Sequence, residues 1–133
     1  MIAEDCVFCR IVSGMIPSEK IYEDEHVFAF LDINPVNTGH TLVIPKSHFG
    51  NIHTINKEEY AHVMEAVRVL STTIEHAVHA EGINVMIVGE EVFHFHVHLI
   101  PRYVGDGLHH WQGEKESSEK ISTIGKTIRA ALF

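Results

Sequence analysis

The run His94-Phe-His-Val-His-Leu-Ile100 constrains the fold of this chain more than any other feature of its sequence. Histidine alternates with an apolar residue, and residues two apart in a β-strand lie on the same face. His94, His96 and His98 are therefore predicted to line one face of a strand. The apolar side chains on the other face are predicted to pack under a helix: Phe93, Phe95, Val97 and Leu99.

The presence of three imidazoles on the polar face of one strand requires a chemical explanation. Imidazole has a reference pKa of about 6.5, so near neutral pH most copies are uncharged and can serve as a nucleophile, a general acid or base, or a metal ligand. A solvated face is the simpler interpretation of any single histidine, but threonine or serine would suit such a face better. On the residues alone, two hypotheses stay open: a metal site built on one strand, or a nucleophilic imidazole supported by its neighbours.

Four segments with β-branched or aromatic character predict the strands of an antiparallel sheet: 26–33, 40–44, 83–88 and 91–100. A loop containing Pro and Gly separates the first two. The pair Gly89-Glu90 separates the last two and suits a two-residue hairpin. Pro101 is predicted to end the final strand.

Three segments predict helices. The longest, 56–80, carries apolar residues at the spacing of one helix face and begins at Asn56, a favourable cap. A short helix over 6–12 is predicted to be capped by Asp5, and a terminal helix is predicted over 117–132. The predicted fold class is α+β: an antiparallel sheet with one long helix packed on it, a short N-terminal helix and a C-terminal helix.

Composition limits the class of protein. A chain of 133 residues, 45% of them apolar, can bury a core, and we expect 1–133 to form a single domain. Neither a secretion signal nor a bilayer-spanning stretch is apparent, so we expect a cytoplasmic protein with no membrane partner. The formal charge of −8 argues against binding of nucleic acid polymers, but not of a mononucleotide. The pair Cys6 and Cys9 favours a metal or redox role over a disulfide.

These residues resemble the histidine triad (HIT) family of nucleotide hydrolases and transferases, in its bacterial zinc-carrying branch. The family pattern His-φ-His-φ-His-φ-φ, where φ is apolar, stands here at 94–100. The similarity covers roughly residues 5 to 107. Further segments similar to the family follow in the expected order: Cys6-Val-Phe-Cys9, Ile16-Pro-Ser18, Tyr22-Glu-Asp-Glu-His26, Ala29-Phe-Leu-Asp-Ile-Asn-Pro35, Gly39-His-Thr-Leu-Val-Ile-Pro-Lys46 and Ile100-Pro-Arg-Tyr103.

The resemblance implies a reaction. The central histidine, here His96, attacks the α-phosphorus of a nucleotide ester, anhydride or amide, and water then hydrolyses the nucleotidyl-imidazole. His40 and His98 flank it, where they stabilise charge on the transferred phosphoryl group or assist the leaving group. The implied substrate is a nucleoside phosphoramidate or a dinucleotide polyphosphate, the implied ligand a purine nucleotide or nucleotide conjugate, and the implied assembly a homodimer.

The resemblance also implies which residues hold the nucleotide. Phe30 and Ile33 would pack on the base, although plain core is an equally good interpretation of both. Asp32 would accept the ribose hydroxyls, or could serve the turn before Pro35. Asn34 would lie close to the phosphate.

One segment departs from the family pattern. Members usually carry a Gly- and Asn-rich loop ending in Gly-Gln-x-φ-x-His, whereas this loop is about five residues shorter and Glu90 stands where the glutamine is expected. A carboxylate cannot donate a hydrogen bond to a phosphate and repels it. Three outcomes are open: a slower enzyme, an enzyme preferring a less charged leaving group, or a nucleotide-binding module without turnover.

For the cysteine pair, the resemblance implies zinc bound by Cys6, Cys9, His48 and His94. Two thiolates and two imidazoles form a closed tetrahedral set, so this zinc would be structural and would tie the N-terminal helix to the sheet. His94 is thereby assigned to the metal rather than to catalysis. A catalytic zinc using all three triad histidines ranks last, because the four ligands leave no open position.

Overall fold

The computed structural model describes residues 3–89, 91–109 and 113–132. Strands β1 to β5 form one antiparallel sheet in the spatial order β1-β2-β3-β5-β4. Their bounds are Lys20–Glu23, Val27–Leu31, Thr41–Pro45, Gly82–Met86 and Val97–Arg102. The helices α1 to α3 span Val7–Val12, Lys57–Ala77 and Ser118–Ala131. This architecture confirms the predicted α+β class with an antiparallel sheet.

Helix α2 covers one face of the sheet. It begins as predicted at Asn56, whose side chain accepts a hydrogen bond from the Glu59 N–H at 2.8 Å. Its inner stripe consists of buried aliphatic residues, Val63, Val67, Leu70 and Ile74. They pack on strand residues that face the same way, Val27, Ala29, Val43, Val97 and Leu99. This layer is the main core and fixes the side of the sheet from which the polar residues of β5 must project.

Helix α1 lies on the opposite face, where a second cluster joins Phe8 to Phe28, Phe30, Leu42 and Ile44. The predicted cap at Asp5 is wrong. The helix is capped by Cys6, whose sulfur accepts a hydrogen bond from the Cys9 N–H at 3.4 Å. The cap is one residue later because Cys6 is buried against the sheet, whereas Asp5 is exposed.

The predicted two-residue hairpin at Gly89-Glu90 is also wrong. Strand β4 ends at Met86, which pairs with His98, and β5 begins only at Val97. Residues 87–96 connect the two strands without strand structure at the positions described, and Glu90 lies outside the described residues. His94 and His96 therefore precede the strand that was predicted to carry them.

Pro101 does not end β5, which continues to Arg102. Strand β3 pairs with β5 only as far as Leu99, so at Pro101 the strand has a single neighbour, and a missing N–H is tolerated at such an edge. The proline carbonyl remains available and accepts a hydrogen bond from Asn37 Nδ2 at 2.8 Å.

Strand β1 was not predicted from the sequence. All four of its residues are exposed, so it has no alternation of apolar and polar residues to reveal it. It pairs with β2 at the edge of the sheet.

The predicted packing of Phe93 under a helix is wrong, because its side chain is 68% exposed. The Phe93 ring lies over Gly50 and leaves no space there for a Cβ.

The C-terminal helix is present as predicted, with Ser117 as its cap. Across 118–131 it buries none of its residues. Its apolar stripe is exposed instead: Ile121, Ile124, Ile128 and, just beyond, Leu132. Within the described ranges, no helix combines the length and apolar character needed to cross a membrane.

Candidate functional site

The predicted metal ligands converge at the junction of α1 and the sheet. His94 Nδ1 lies 3.4 Å from Cys6 Sγ and 3.5 Å from Cys9 Sγ. His48 Nδ1 lies 3.5 Å from Cys9 Sγ and 3.2 Å from His94 Nδ1. All four ligand atoms lie within 4.8 Å of one another. The structure therefore brings together four residues from three separate parts of the chain into one cluster.

These spacings fit a tetrahedral zinc ion. With Zn–S bonds of about 2.3 Å and Zn–N bonds of about 2.0 Å, neighbouring sulfur and nitrogen ligands lie roughly 3.5 Å apart and neighbouring nitrogens roughly 3.3 Å apart. The observed separations of 3.4, 3.5, 3.5 and 3.2 Å match those edges. Four of the six distances within the cluster thus agree with a tetrahedral site, so the cluster could hold a metal ion.

The protonation state of His94 is the one that a metal ligand requires. Its Nε2 lies 2.9 Å from the Pro45 carbonyl oxygen, which can only accept, so Nε2 carries the proton and Nδ1 presents a lone pair to the cluster. This is the outer contact that orients metal-binding imidazoles. Burial, aided by the neighbouring His48 and His96, lowers the pKa of His94 to about 4. Burial also raises the pKa of the Cys9 thiol.

The peptide carbonyl of His94 contacts the next triad residue. His96 Nδ1 lies 2.7 Å from this oxygen and must donate a hydrogen bond to it, so the proton of the neutral ring is on Nδ1. The Nε2 lone pair is left available for attack on an electrophile. The ring is 4% exposed and meets the edge of Phe8, with ring centroids 5.2 Å apart. His94 thus joins the metal cluster to the candidate nucleophile.

A second cluster contains His40, His98 and Asp32. His40 Nε2 lies 2.9 Å from His98 Nδ1 and 3.7 Å from Asp32 Oδ2. The rings of His96 and His98 are 4.9 Å apart, so the cluster adjoins the candidate nucleophile. Burial lowers the pKa of both His40 and His98. The structure therefore groups the three predicted catalytic histidines, and burial favours the neutral form of two of them.

The predicted nucleotide-binding residues differ in accessibility. Phe30 is 4% exposed and packs between Phe8 and Phe28, with centroid distances of 5.6 and 5.9 Å, whereas Ile33 is 88% exposed. Asp32 caps the following turn, because its Oδ1 accepts a hydrogen bond from the Asn34 N–H at 2.8 Å. Glu90, the fifth of these residues, lies outside the described part of the chain.

Sequence reasoning missed the residues that hold the loop between β2 and β3 in place. Asp106 accepts hydrogen bonds from Arg102 Nε at 2.8 Å, from the N–H groups of Tyr103 and Leu108 at 3.0 Å, and from Asn37 Nδ2 at 3.0 Å. These donors, with Arg102 first, hold the pKa of Asp106 well below its usual range. Asn37 and Asp106 are 69 positions apart in the sequence, and no local pattern predicts that they pair.

A small cavity of about 170 Å³ adjoins the candidate nucleophile. It is lined by segments 50–53 and 87–89 and by residues 94–96. Asn51 and His53 line it together with His94 and His96, so residues outside the predicted site also border this cavity.

A sheet covered by α2, an imidazole oriented as a nucleophile and a neighbouring cysteine–histidine cluster are together the features of one class of protein, the HIT-type domain. The family model for the HIT domain matches residues 13–105, which is most of the chain. The chain belongs to the HIT family.

Three known proteins illustrate the similarity. The Protein hit of Bacillus subtilis (strain 168) is 47% identical over 112 residues, which cover 80% of this chain and 77% of that protein. The adenosine 5'-monophosphoramidase HNT1 of Candida albicans is 31% identical over 139 residues, which cover 96% of this chain and 91% of that protein. A solved structure of a zinc-bound histidine triad family protein from Mycobacterium smegmatis superposes with a TM-score of 0.75 at 34% identity. The superposition covers 95% of this chain and 97% of that protein.

The metal cluster can be tested by replacing a ligand outside the triad. His48→Asn should lower zinc affinity by more than about 100-fold, because even outer-contact substitutions cost about 10- to 100-fold. It should also lower Tm, since a bound metal would join α1 to the sheet. Zinc content per chain by elemental analysis and a thermal melt measure both effects. His76→Asn, an exposed histidine on α2, is the matched control. Full zinc content in His48→Asn would contradict the assignment.

The Asp106 network predicts a pH-dependent stability. Because the folded-state pKa of Asp106 is depressed, its stabilisation is present above the unfolded pKa of about 3.9 and is lost as pH falls toward the lower folded value. Asp106→Asn should therefore lower Tm clearly at pH 6, and the difference from wild type should shrink below about pH 4. Melts across this range measure it, with Asp5→Asn on the exposed N-terminal turn as the control. A difference that grows on acidification would refute the prediction.

Proposed function

We propose that this chain is a nucleotide hydrolase of the phosphoramidase or nucleotidyl hydrolase type, acting at the α-phosphorus through a covalent nucleotidyl-His96 intermediate. The observation that carries the proposal is the 2.7 Å hydrogen bond from His96 Nδ1 to the His94 carbonyl. It places the proton on Nδ1 and leaves a lone pair on Nε2 of a nearly buried ring, which is the form a nucleophilic imidazole needs.

In the first step the Nε2 lone pair of His96 forms a bond to phosphorus, and the bond from phosphorus to the leaving nitrogen or oxygen breaks with its electron pair. The ring then carries Nδ1–H and phosphorus together, and so becomes cationic. The His94 carbonyl stabilises that cation through the existing hydrogen bond. In the second step water attacks phosphorus, and the N–P bond breaks with its electron pair returning to Nε2, which restores the neutral imidazole. The proton lost by the attacking water returns to the solvent, from which the leaving group took its own proton.

His40 and His98 are proposed to stabilise the transferred phosphoryl group, since both lie in the cluster beside His96. Asp32, Ile33, Asn34, Phe30 and Glu90 are proposed to hold the nucleotide. Ile33 offers an exposed apolar surface for a base, and Asp32 retains Oδ2 as an acceptor for a ribose hydroxyl. The similarity to an adenosine 5'-monophosphoramidase supports a purine nucleotide conjugate as substrate.

Zinc is proposed as the structural ion of the Cys6, Cys9, His48 and His94 cluster. Support comes from the tetrahedral spacing of the donor atoms and from the similarity to a zinc-bound family member. The ion would supply no step of the reaction, because four protein ligands fill its coordination shell. A homodimer is proposed as well, and the exposed apolar stripe of α3 leaves surface for a second copy.

A zinc-stabilised nucleotide-binding module without turnover is the alternative. The observation in its favour is the shortened connection before the triad, with a glutamate where the family carries a glutamine. This alternative predicts that AMP binds and that no nucleotidyl adduct forms.

The nucleophile assignment predicts that His96→Asn slows hydrolysis of adenosine 5'-phosphoramidate by at least about 1,000-fold, because the covalent route is removed. Steady-state kinetics give the rate, and rapid quenching followed by peptide mass spectrometry locates the adenylyl group on His96 of the wild type. His62→Asn, a substitution on α2, serves as the control. An unchanged rate in His96→Asn would exclude the mechanism, and AMP binding without any adduct or turnover in the wild type would favour the binding module.

A further inference from the structure

The loop between β2 and β3 places a backbone amide on the buried side of His40. The Val36 N–H lies 3.1 Å from His40 Nδ1. A peptide N–H can only donate, so Nδ1 must accept, and the proton of the neutral ring is therefore on Nε2. A second proton on Nδ1 would bring two donors face to face.

The tautomer of His40 sets the direction of its hydrogen bond to His98. His40 Nε2 lies 2.9 Å from His98 Nδ1. Since His40 Nε2 carries the proton, it donates, and His98 Nδ1 accepts. The remaining proton of His98 must then be on its Nε2. The chain of hydrogen bonds runs one way, from Val36 through His40 to His98, and it ends in a single N–H donor.

The surroundings of the pair favour the neutral form of both rings. His40 is only 3% exposed, and its burial lowers its pKa. Two carboxylates, Asp32 and Glu91, act in the opposite direction on both rings, whereas His96 opposes protonation of His98. Asp32 Oδ2 is 3.7 Å from His40 Nε2, beyond hydrogen-bond distance, so it does not compete with His98 for the proton.

We propose that the Val36 amide is a positioning group that fixes the tautomers of His40 and His98, so that His98 presents a neutral Nε2–H donor to the transferred phosphoryl group and keeps that proton throughout the reaction. The pair then stabilises charge and does not act as the acid. The leaving group takes its proton from water. The part of this inference that concerns phosphoryl transfer rests on the proposed function, whereas the tautomers do not.

Val36→Pro removes the donor and nothing else from this chain of hydrogen bonds, and Val36→Ala keeps it. In ¹⁵N imidazole NMR spectra, the wild type and Val36→Ala should show His40 and His98 neutral with protonated Nε2. In Val36→Pro the pKa of His40 should rise, and a form with protonated Nδ1 should appear. The His96 signals should stay unchanged, which shows that the fold is retained. A His40 ring with protonated Nδ1 in the wild type would overturn the proposal.

A second pair of variants separates hydrogen-bond donation from acid catalysis. His98→Gln places an amide donor near the position of Nε2 but cannot release a proton, whereas His98→Ala removes the donor. We expect kcat for adenosine 5'-phosphoramidate to fall by no more than about tenfold in His98→Gln and by more than about 100-fold in His98→Ala. Equal losses in both variants would overturn the donor role. If the wild type shows no turnover, the proposed function fails, and the NMR spectra still decide the tautomers.

Discussion

The contacts of His94 determine the arrangement of the rest of the site. This residue makes three directional contacts at once: its Nε2–H donates to the Pro45 carbonyl, its Nδ1 faces the two cysteines, and its own carbonyl accepts from His96. The first contact fixes the ring, the second fixes the cluster, and the third fixes the tautomer of the candidate nucleophile. A shift of His94 would therefore disturb both the candidate metal cluster and the candidate nucleophile.

The proposed reaction would require the site to stabilise a phosphoryl group in a chain with a formal charge of −8. The basic side chains that flank its strands are engaged elsewhere, since Arg102 pairs with Asp106 at 2.8 Å and Lys46 with Glu23 at 2.6 Å. Burial lowers the pKa of His40 and of His98 and so favours their neutral forms. The oriented N–H groups of these rings are then the available donors. Preorganised donors of this kind are effective in a partly dry site, because they need no reorientation when charge develops.

Periodic patterns predicted the parts of the fold that bury apolar surface, namely α2 and the strands beneath it. They could not reveal β1, whose residues are all exposed, or the Asp106 network, which depends on side chains from distant loops. The candidate metal ligands were predicted through resemblance to a family, because no local sequence pattern connects Cys9 to His48. The structure brings these residues together with Cys6 and His94. The tautomers of His40 and His98 were not predictable, since they depend on an individual hydrogen bond from the Val36 N–H.

Strand β5 begins at Val97, later than predicted, so the candidate nucleophile is not held in place by the sheet. If β5 had begun at residue 91, the sheet ladder would support His94 and His96 directly. Since the strand begins at Val97, their backbone depends on other contacts, including the hydrogen bond from the Phe95 N–H to the Phe49 carbonyl at 2.6 Å. Phe8, on the helix capped by Cys6, packs against both imidazoles. A metal ion that joins Cys6 and Cys9 to His94 would therefore do what strand pairing does elsewhere in this sheet, and the structural cluster becomes part of the means by which His96 is positioned.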